Sequence, residues 1–359
     1  MVRVLVVDDS AFMRKALSKM LEADPEIQVV GTARDGFEAL EKVAALDPDL
    51  VTLDVDMPRL GGLETLQRLM AEFPRPVVMV SSMTSEGAEI TLQALDLGAL
   101  DYLPKQIDGN LLDIVRLERT LCEKVKTLAR RRVRPSTGRP PPVPPPRPVP
   151  TPLRPASPST ETRASVRRLG PARLVVVGAS TGGPPALQTF FSGLSSGFPT
   201  SVVVVQHMPK AFTGPFAKRL SQAGPLEVKE AESGDRLEPG RGFVAPGGTH
   251  LVVRREGGGL VLHLSDQPAD SIHKPSVDVM FRSFADVVGG GVLAVVLTGM
   301  GSDGLEGVRS LKAKGCSAIA QDAESCVVFG MPRAIVEAGL ADAVLPMGRI
   351  ASAVEGALE

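Results

Sequence analysis

The sequence predicts an α/β protein with two domains: an N-terminal (βα)5 domain, and a C-terminal doubly wound, mostly parallel α/β domain with an antiparallel ribbon insertion. Three observations predict this class. The 359 residues are too many for one ordinary core, short β-branched runs alternate with helical-period segments in both halves, and a proline- and arginine-rich stretch separates the halves. The predicted boundaries are 1–130 for the first domain, 131–170 for an extended linker and 171–359 for the second domain.

The first domain is expected to contain five strand–helix units, because a plausible helix follows each β-branched run. The strands are predicted at Val2–Val7, Val29–Ala33, Leu50–Leu53, Val77–Val80 and Asp101–Leu103. The last helix is predicted from about Leu111 to Ala129 and ends in an arginine run, which suits the negative end of a helix dipole.

The second domain repeats this architecture without repeating a motif. Its clearest strands are predicted at Leu174–Val177, Val202–Val205 and Val292–Leu297, each followed by a glycine-rich turn and a helical pattern. Between residues 226 and 265, four short alternating segments come close together, at Leu226–Lys229, Gly242–Val244, Leu251–Arg254 and Leu260–Leu264. These four segments predict an antiparallel ribbon.

Composition excludes several classes of protein. A net charge of -1 provides no overall attraction to nucleic acid or to an acidic membrane, so no nucleic-acid partner is expected. The chain has no apolar run of 18 residues, and no membrane insertion is expected. Three cysteines without metal-ligand spacing favour a reducing compartment. The sequence therefore predicts a cytoplasmic protein.

Acidic and polar residues follow the predicted strands of the first domain. Asp8 and Asp9 follow the first strand, Asp54 ends the third, Ser81 ends the fourth, and Lys105 lies just after the fifth. In a parallel sheet these positions gather at the carboxyl edge, where clustered carboxylates favour a divalent cation such as Mg²⁺. Each acid alone could be a helix cap or a solvated loop residue. Together they predict a metal-assisted phosphate acceptor, with Lys105 and Ser81 contacting the phosphate.

This half resembles the receiver domain of two-component response regulators, through VVDDS, TLDVDMP, MVSS and DYLPK. The resemblance implies that Asp54 is the phosphoacceptor and that a histidine kinase is the phosphodonor. It also implies a Mg²⁺ site and a set of switch residues. The metal residues would be Asp8, Asp9, Asp54 and the Asp56 carbonyl; the switch residues would be Ser81, Tyr102 and Lys105. One departure from the family pattern is that Pro104 precedes Lys105 and Gln106 follows it.

The second domain carries a G-x-S-x-G pattern, GASTGG at residues 178–183, between a strand and a helix. Small residues there permit a tight turn that exposes the Ser180 hydroxyl, which needs a base to become a nucleophile. His207 is the candidate base because it follows strand Val202–Val205, and Asp303 follows another strand and could orient the imidazole. Gly299, Gly301 and Gly304 lie in a loop suited to an oxyanion hole.

A dinucleotide-binding turn is the competing interpretation of GASTGG. That motif calls for an acid at the end of the next strand, whereas the sequence has Gln206 and His207 there. The remaining histidines, His250, His263 and His273, are expected to be structural and away from Ser180. No pair of histidines shows a zinc spacing, so no cofactor is expected in this half.

This half resembles the catalytic domain of the chemotaxis protein-glutamate methylesterase, through GASTGG, QHMP, HKPSVDVMF and LTGMGSDG. The resemblance implies Ser180 as nucleophile, His207 as base, Asp303 as orienting acid, Thr181 as an active-site neighbour and the Met300 N–H as an oxyanion donor. It implies hydrolysis of glutamate methyl esters, and also deamidation of glutamine, on methyl-accepting chemotaxis receptors. It further implies that the unphosphorylated receiver packs over the esterase cleft. The alternative is a non-catalytic binding module gated by phosphorylation.

Overall fold

The computed structural model describes residues 1–82, 84–105, 111–130 and 169–358. The predicted linker, 131–170, lies outside the described residues except for 169 and 170, and so does Gln106. In the first half the elements are β1 Val2–Val7, α1 Ala11–Glu22, β2 Ile27–Ala33, α2 Gly36–Leu46, β3 Leu50–Asp54, α3 Gly62–Glu72, β4 Val77–Ser81, α4 Ser85–Asp96, β5 Asp101–Pro104 and α5 Leu111–Leu128. In the second half they are β6 Leu174–Ala179, α6 Gly183–Ser192, β7 Val202–Gln206, α7 Lys210–Ala223, β8 Glu227–Glu230, β9 Arg241–Val244, β10 His250–Glu256, β11 Gly259–Ser265, α8 Val277–Val287, β12 Val292–Val296, α9 Leu305–Ala313, β13 Ser317–Gln321, α10 Met331–Glu337, β14 Ala343–Leu345 and α11 Met347–Glu355.

The first half is a parallel sheet in the order β2-β1-β3-β4-β5. Its inner strands are apolar and buried on both faces, as helix-covered parallel strands require. Side-chain caps start α1, α2 and α4; at α1, for example, the Ser10 side chain accepts from the backbone N–H of Met13. The predicted five-unit α/β fold is therefore confirmed, and all five strands lie where the sequence indicated.

The second half is a seven-stranded sheet in the order β14-β13-β12-β6-β7-β9-β8, and every pair in it is parallel. The strand order reverses at β6, with β7 on one side of it and β12 on the other, and a doubly wound sheet opens a crevice at its carboxyl edge at such a point. A separate hairpin joins β10 and β11 in antiparallel register, from His250 opposite Ser265 to Glu256 opposite Gly259.

The predicted four-segment ribbon is only half correct. The hairpin of β10 and β11 is antiparallel, but β8 and β9 belong to the main sheet and run parallel to each other, with Glu227 opposite Arg241. The chain between them, residues 231–240, is long enough to return to the same edge without a helix. Short spacing between two strands predicts a hairpin only when the connection is a tight turn.

The two halves touch through α4 and β5 of the first and α6 and α7 of the second. Tyr102 of β5 stacks on Phe212 of α7, with ring centroids 4.7 Å apart and planes inclined by 13°. Asp96, at the end of α4, accepts a 2.9 Å hydrogen bond from Gln188 and pairs with Arg219. An aromatic stack and a charge-assisted cluster thus join the receiver-like half to two helices of the second half.

Within the described ranges, the helices are all too short or too polar to span a bilayer.

Gly178, next to the last residue of β6, lies where the core of the second half is tightly packed. A Cβ on this residue would lie 2.4 Å from Cγ1 of Val277, which is fully buried. We expect Gly178→Ala to lower the free energy of unfolding by about 1–3 kcal/mol, because a well-packed core resists an added methyl group. Gly348 of α11 has no atom within 4 Å of its Cβ position. Gly348→Ala should therefore stabilise by about 0.5–1 kcal/mol. Urea unfolding of both variants checks the contrast, and equal effects would contradict it.

Candidate active site and phosphoacceptor site

The turn after β6 presents Ser180 at the carboxyl edge of the sheet. The Ser180 N–H donates to the Thr298 carbonyl at 3.0 Å, and the Gly183 N–H donates to the Ser180 carbonyl at 2.8 Å, which closes the turn. Gly182 has a φ of 76°, and a Cβ on Gly183 would lie 1.9 Å from Oε1 of Gln206. The glycines are therefore required by both backbone conformation and space.

His207 lies beside this turn because β7 is the neighbouring strand. Its N–H donates to the carbonyl of Ala179 at 3.1 Å. The Gln206 side-chain amide donates to the Ser180 carbonyl at 2.9 Å and to the His207 carbonyl at 3.1 Å. Gln206, which occupies the position where a dinucleotide-binding motif would place an acid, thus ties the serine turn to the histidine. A dinucleotide-binding turn would need an acid at this position to bind the ribose, and Gln206 is not an acid.

Asp303 holds the far side of the His207 ring. Its carboxylate lies 2.8 Å from His207 Nε2 and accepts three further hydrogen bonds, from the Ser276 hydroxyl at 2.9 Å, the Val277 N–H at 2.7 Å and the Asp278 N–H at 3.0 Å. Burial alone would raise the pKa of Asp303. The hydrogen bonds from His207 and from the N-terminus of α8 outweigh it and hold the pKa well below the ordinary 3.8. Asp303 is therefore an anion.

Helix α8, whose N-terminus donates to Asp303, is held in turn by a contact with the start of α9. Asp278, in the first turn of α8, accepts from the Gly304 N–H at 3.0 Å and from the Gly307 N–H at 2.6 Å, both at the start of α9. Each helix N-terminus thus binds an aspartate from the other segment, which satisfies N–H groups that the helices leave free. The acid is fixed by two packed helices rather than by a mobile loop.

An anionic Asp303 decides which nitrogen of His207 carries the proton. Nε2 must donate to the carboxylate, so the lone pair of the neutral imidazole is on Nδ1. Nδ1 is buried and has no hydrogen-bond partner among the described residues, and Ser180 lines the same cavity of about 320 Å³. No Ser180–His207 hydrogen bond is formed in the part of the chain that the structure describes. A hydrogen bond between a nucleophile and its base commonly forms or tightens only with substrate bound.

Thr181 follows Ser180 in the chain, and Met300 follows Gly299, which packs against Ser180. The Thr181 hydroxyl donates to Oδ2 of Asp101 at 2.8 Å, across the contact with the first half. Met300 belongs to a glycine loop, and a Cβ on Gly299 would lie 2.9 Å from Cβ of Ser180. The Met300 N–H makes no hydrogen bond to any described residue, so this loop can offer a donor to an oxyanion beside Ser180.

The expectation that the other histidines lie away from Ser180 is wrong for His273. His273 lines the same cavity as Ser180, and its ring stacks on His207 with centroids 4.1 Å apart. His263 pairs with Glu256 on the β10–β11 hairpin, as expected of a structural residue. His250 is fully buried and accepts from the Ser276 N–H through Nδ1 at 3.3 Å. His273 opens the HKPSVDVMF segment, so a sequence signal was present, but periodicity assigned it no strand end.

The first half brings its acids together as predicted. Ligand atoms of Asp8, Asp9 and Asp54 all lie within 4.8 Å of one another. The Lys105 ammonium lies 3.0 Å from Asp8 Oδ2 and 2.6 Å from Asp54 Oδ2. These contacts with Asp54 and Asp8 raise the pKa of Lys105 against the opposing effect of burial, so the ammonium stays charged. Three acids around one ammonium leave net negative charge, and buried carboxylate oxygens of this kind fit a hard divalent cation.

Burial raises the pKa of Asp54 to about 6, and the charge of Asp8 adds to the effect while Lys105 opposes it. Asp56 lies at the same edge, and its N–H donates to Asp54 Oδ1 at 3.3 Å. The Ser81 hydroxyl is turned away, towards the Ser82 and Gly87 carbonyls at 3.2 Å each. The ring of Tyr102 lies against Phe212 instead of the acidic cluster.

Residues of both halves line the cavity that contains Ser180. The first half contributes Asp101–Pro104 of β5 together with Thr120 and Lys124 of α5. Asp101 is central, because its Oδ2 accepts from Lys124 at 2.5 Å and from Thr181 at 2.8 Å. The first half therefore covers the cavity that contains Ser180.

Fold and site together define a two-domain protein in which a receiver-type domain covers the cleft of a serine hydrolase-type domain. The family model for CheB methylesterase matches residues 175–354, and the model for the response regulator receiver domain matches residues 4–116. The chain belongs to the CheB methylesterase family.

Relatives of known name align along the whole chain. The chain is 51% identical to protein-glutamate methylesterase/protein-glutamine glutaminase 1 of Oleidesulfovibrio alaskensis, over 100% of both chains. It is 46% identical to the Geobacillus kaustophilus protein-glutamate methylesterase/protein-glutamine glutaminase, over 98% of this chain and 97% of the relative. The CheB methylesterase catalytic domain of Thermotoga maritima matches with a TM-score of 0.50 and 40% identity, over 52% of this chain and 98% of that one.

The raised pKa of Asp54 predicts a pH-dependent stability. In the unfolded chain Asp54 ionises near pH 3.8, whereas in the folded chain it keeps its proton up to about pH 6. The free energy of unfolding therefore falls as the pH rises between these two values, and above about 6 the full loss is present. In chelator, we expect Asp54→Asn to stabilise by about 1 kcal/mol more at about pH 7.5 than at about pH 5. Denaturant unfolding measures the difference. Excess Mg²⁺ should reverse the advantage, and an equal gain at both pH values would contradict the prediction.

Proposed function

We propose that this chain is a phosphorylation-activated hydrolase that removes methyl groups from glutamate side chains of methyl-accepting chemotaxis receptors, and that it also deamidates glutamine side chains. The observation that carries the proposal is the arrangement of Ser180, His207 and Asp303 in a cleft roofed by a receiver domain. Family membership and the printed names of full-length relatives support the ester and amide substrates.

The geometry supports a serine-esterase mechanism. Ser180 Oγ attacks the ester carbonyl while its proton passes to Nδ1 of His207, and Asp303 stabilises the resulting imidazolium through Nε2. The developing oxyanion accepts from the Met300 N–H. His207 returns the proton to the leaving oxygen and methanol departs. Water activated by the same Nδ1 then cleaves the acyl-enzyme and regenerates the serine; with glutamine the leaving group is ammonia.

The receiver supplies regulation through its contact with the esterase. In the proposed resting state, β5 and α5 cover the cleft, so a helical receptor segment cannot reach Ser180. Lys105, which pairs with Asp54, lies four residues beyond Asp101, which holds Thr181. A phosphoryl group on Asp54 would attract Lys105 and the Ser81 hydroxyl, and the shift would be transmitted along β5 to the interface. Phosphorylation then biases a closed–open equilibrium.

Asp8, Asp9, Asp54 and the Asp56 carbonyl would hold the Mg²⁺ that receiver domains use for phosphorylation. A bound Mg²⁺ neutralises the carboxylates and the incoming phosphoryl oxygens. A histidine kinase of the chemotaxis type is the proposed phosphodonor. We also propose a cytoplasmic location, because Cys122 and Cys316 are buried thiols rather than halves of disulfides.

Substitution of the triad tests the chemistry. Ser180→Ala should abolish methanol release from a methylated receptor fragment. Asp303→Asn should reduce kcat by about 10³–10⁴-fold, because an amide no longer fixes the Nε2–H tautomer of His207. Both variants should give the wild-type circular dichroism spectrum. Asp342→Asn, which removes a carboxylate from an ion pair with Lys312 away from the cleft, is the matched control. Activity retained in folded Ser180→Ala would exclude the mechanism.

Because the first half covers the cavity that contains Ser180, we predict that weakening the contact between the two halves activates the enzyme without phosphorylation. Asp96→Ala removes the contacts to Arg219 and Gln188, which lie away from both sites. We expect basal methanol release to rise about two- to fivefold, since a partly exposed ion pair contributes up to about 1 kcal/mol. Stimulation by a small phosphodonor should shrink by the same factor. Asp54→Ala should instead keep the basal rate and lose all stimulation, and a stimulated Asp54→Ala variant would refute the switch.

A further inference from the structure

The base of the proposed triad is held by fewer contacts than the acid. Among the described residues, Asp303 has four hydrogen-bond donors, whereas the His207 imidazole has one hydrogen-bond partner, Asp303 itself, at 2.8 Å. Nδ1 has none among the described residues. One hydrogen bond does not fix the tilt of the ring about the Nε2–Asp303 direction, and that tilt sets the direction in which Nδ1 points. Effective catalysis requires that the orientation be fixed in advance.

His273 supplies the missing constraint. Its ring lies parallel to that of His207, with centroids 4.1 Å apart and planes inclined by 14°. The His207 side chain is only 9% exposed, whereas His273 is itself exposed, so His273 forms the cover over one face of the base. A flat ring stacked at this distance resists the tilting motion that the single hydrogen bond permits.

The same short stretch of chain orients the acid. Three residues beyond His273, the segment supplies the Ser276 hydroxyl and the N–H groups of Val277 and Asp278 to Asp303. The stretch is anchored in the core, because the Ser276 N–H donates to the fully buried His250. Both members of the His–Asp pair are therefore placed by residues 273–278.

We propose that His273 is a positioning residue for the proposed esterase: its stacked ring holds Nδ1 of His207 towards Ser180 and stabilises the imidazolium that forms during acyl transfer. The inference rests on the proposed function. A neutral ring face placed against a cation is attractive, whereas a second imidazolium would repel it. Burial, followed by the charge of His207, lowers the pKa of His273 from 6.5 to about 4, which favours the neutral ring.

Two substitutions distinguish the effect of the stacked ring of His273 from the effect of its nitrogen atoms. His273→Gln removes the stacking face and keeps polarity, and His273→Phe keeps the face and removes the nitrogens. Using the full chain with Mg²⁺ and a small phosphodonor, we expect His273→Gln to lower kcat for methanol release about three- to tenfold, with KM within about twofold of wild type. His273→Phe should retain most of kcat. His263→Gln, on the hairpin, is the matched control and should behave as wild type.

A spectroscopic measurement tests the positioning independently of activity. The chain has four histidines, so ¹⁵N-histidine labelling resolves the His207 ring. The His207 Nε2–H signal should be sharp in the wild type and in His273→Phe, and broadened by exchange in His273→Gln. Unchanged His207 signals and unchanged kcat in His273→Gln would overturn the inference. So would a kcat for His273→Phe as low as that for His273→Gln, since the nitrogens would then be what matters. A wild type that releases no methanol would refute the proposed function. The His207 signals would still show whether the His273 ring positions the His207 ring.

Discussion

The carboxylate of Asp101 connects the two halves of this protein. It accepts from Lys124 within the receiver and from Thr181, the residue next to Ser180. Asp101 begins β5, the strand that leads directly to Lys105 and thus to the phosphoacceptor cluster. One buried acid therefore joins the acidic cluster to the turn at Ser180 over a few residues of a single strand, and the proposed coupling needs no long chain of contacts.

Both sites follow from the same property of parallel sheets. Polar residues at strand ends collect at the carboxyl edge, while the strands themselves are apolar and buried. In the first half this edge gathers Asp8, Asp54 and Lys105; in the second it gathers Ser180 and His207. The electrostatics then diverge. Burial and the charge of Asp8 raise the pKa of Asp54, whereas hydrogen bonds from His207 and from the N-terminus of α8 lower the pKa of Asp303. In the proposed roles, this suits Asp54 to a metal ion and a phosphoryl group and Asp303 to an imidazolium.

Much of this could be predicted from sequence, because strand ends are readable as apolar runs that stop at a polar residue. The positions of Asp8, Asp54, Ser180 and His207 follow from that rule alone. The parallel pairing of β8 with β9 does not, since it depends on the path of residues 231–240 rather than on either strand. The stack of His273 on His207 was missed for a similar reason: His273 lies in an irregular loop, whose position is set by tertiary contacts to Asp303 and His250.

The most direct test of the account is hydrogen–deuterium exchange of the full chain with Mg²⁺, with and without a small phosphodonor. The account predicts faster exchange in α7, whose Phe212 and Arg219 lie against the receiver, and in the turn at Ser180 and Thr181, when Asp54 is phosphorylated. Asp54→Ala should show no change. Exchange that is unaltered in α7 and at the serine turn, while the phosphodonor still accelerates methanol release, would contradict the claim that the receiver controls the esterase by covering its cleft.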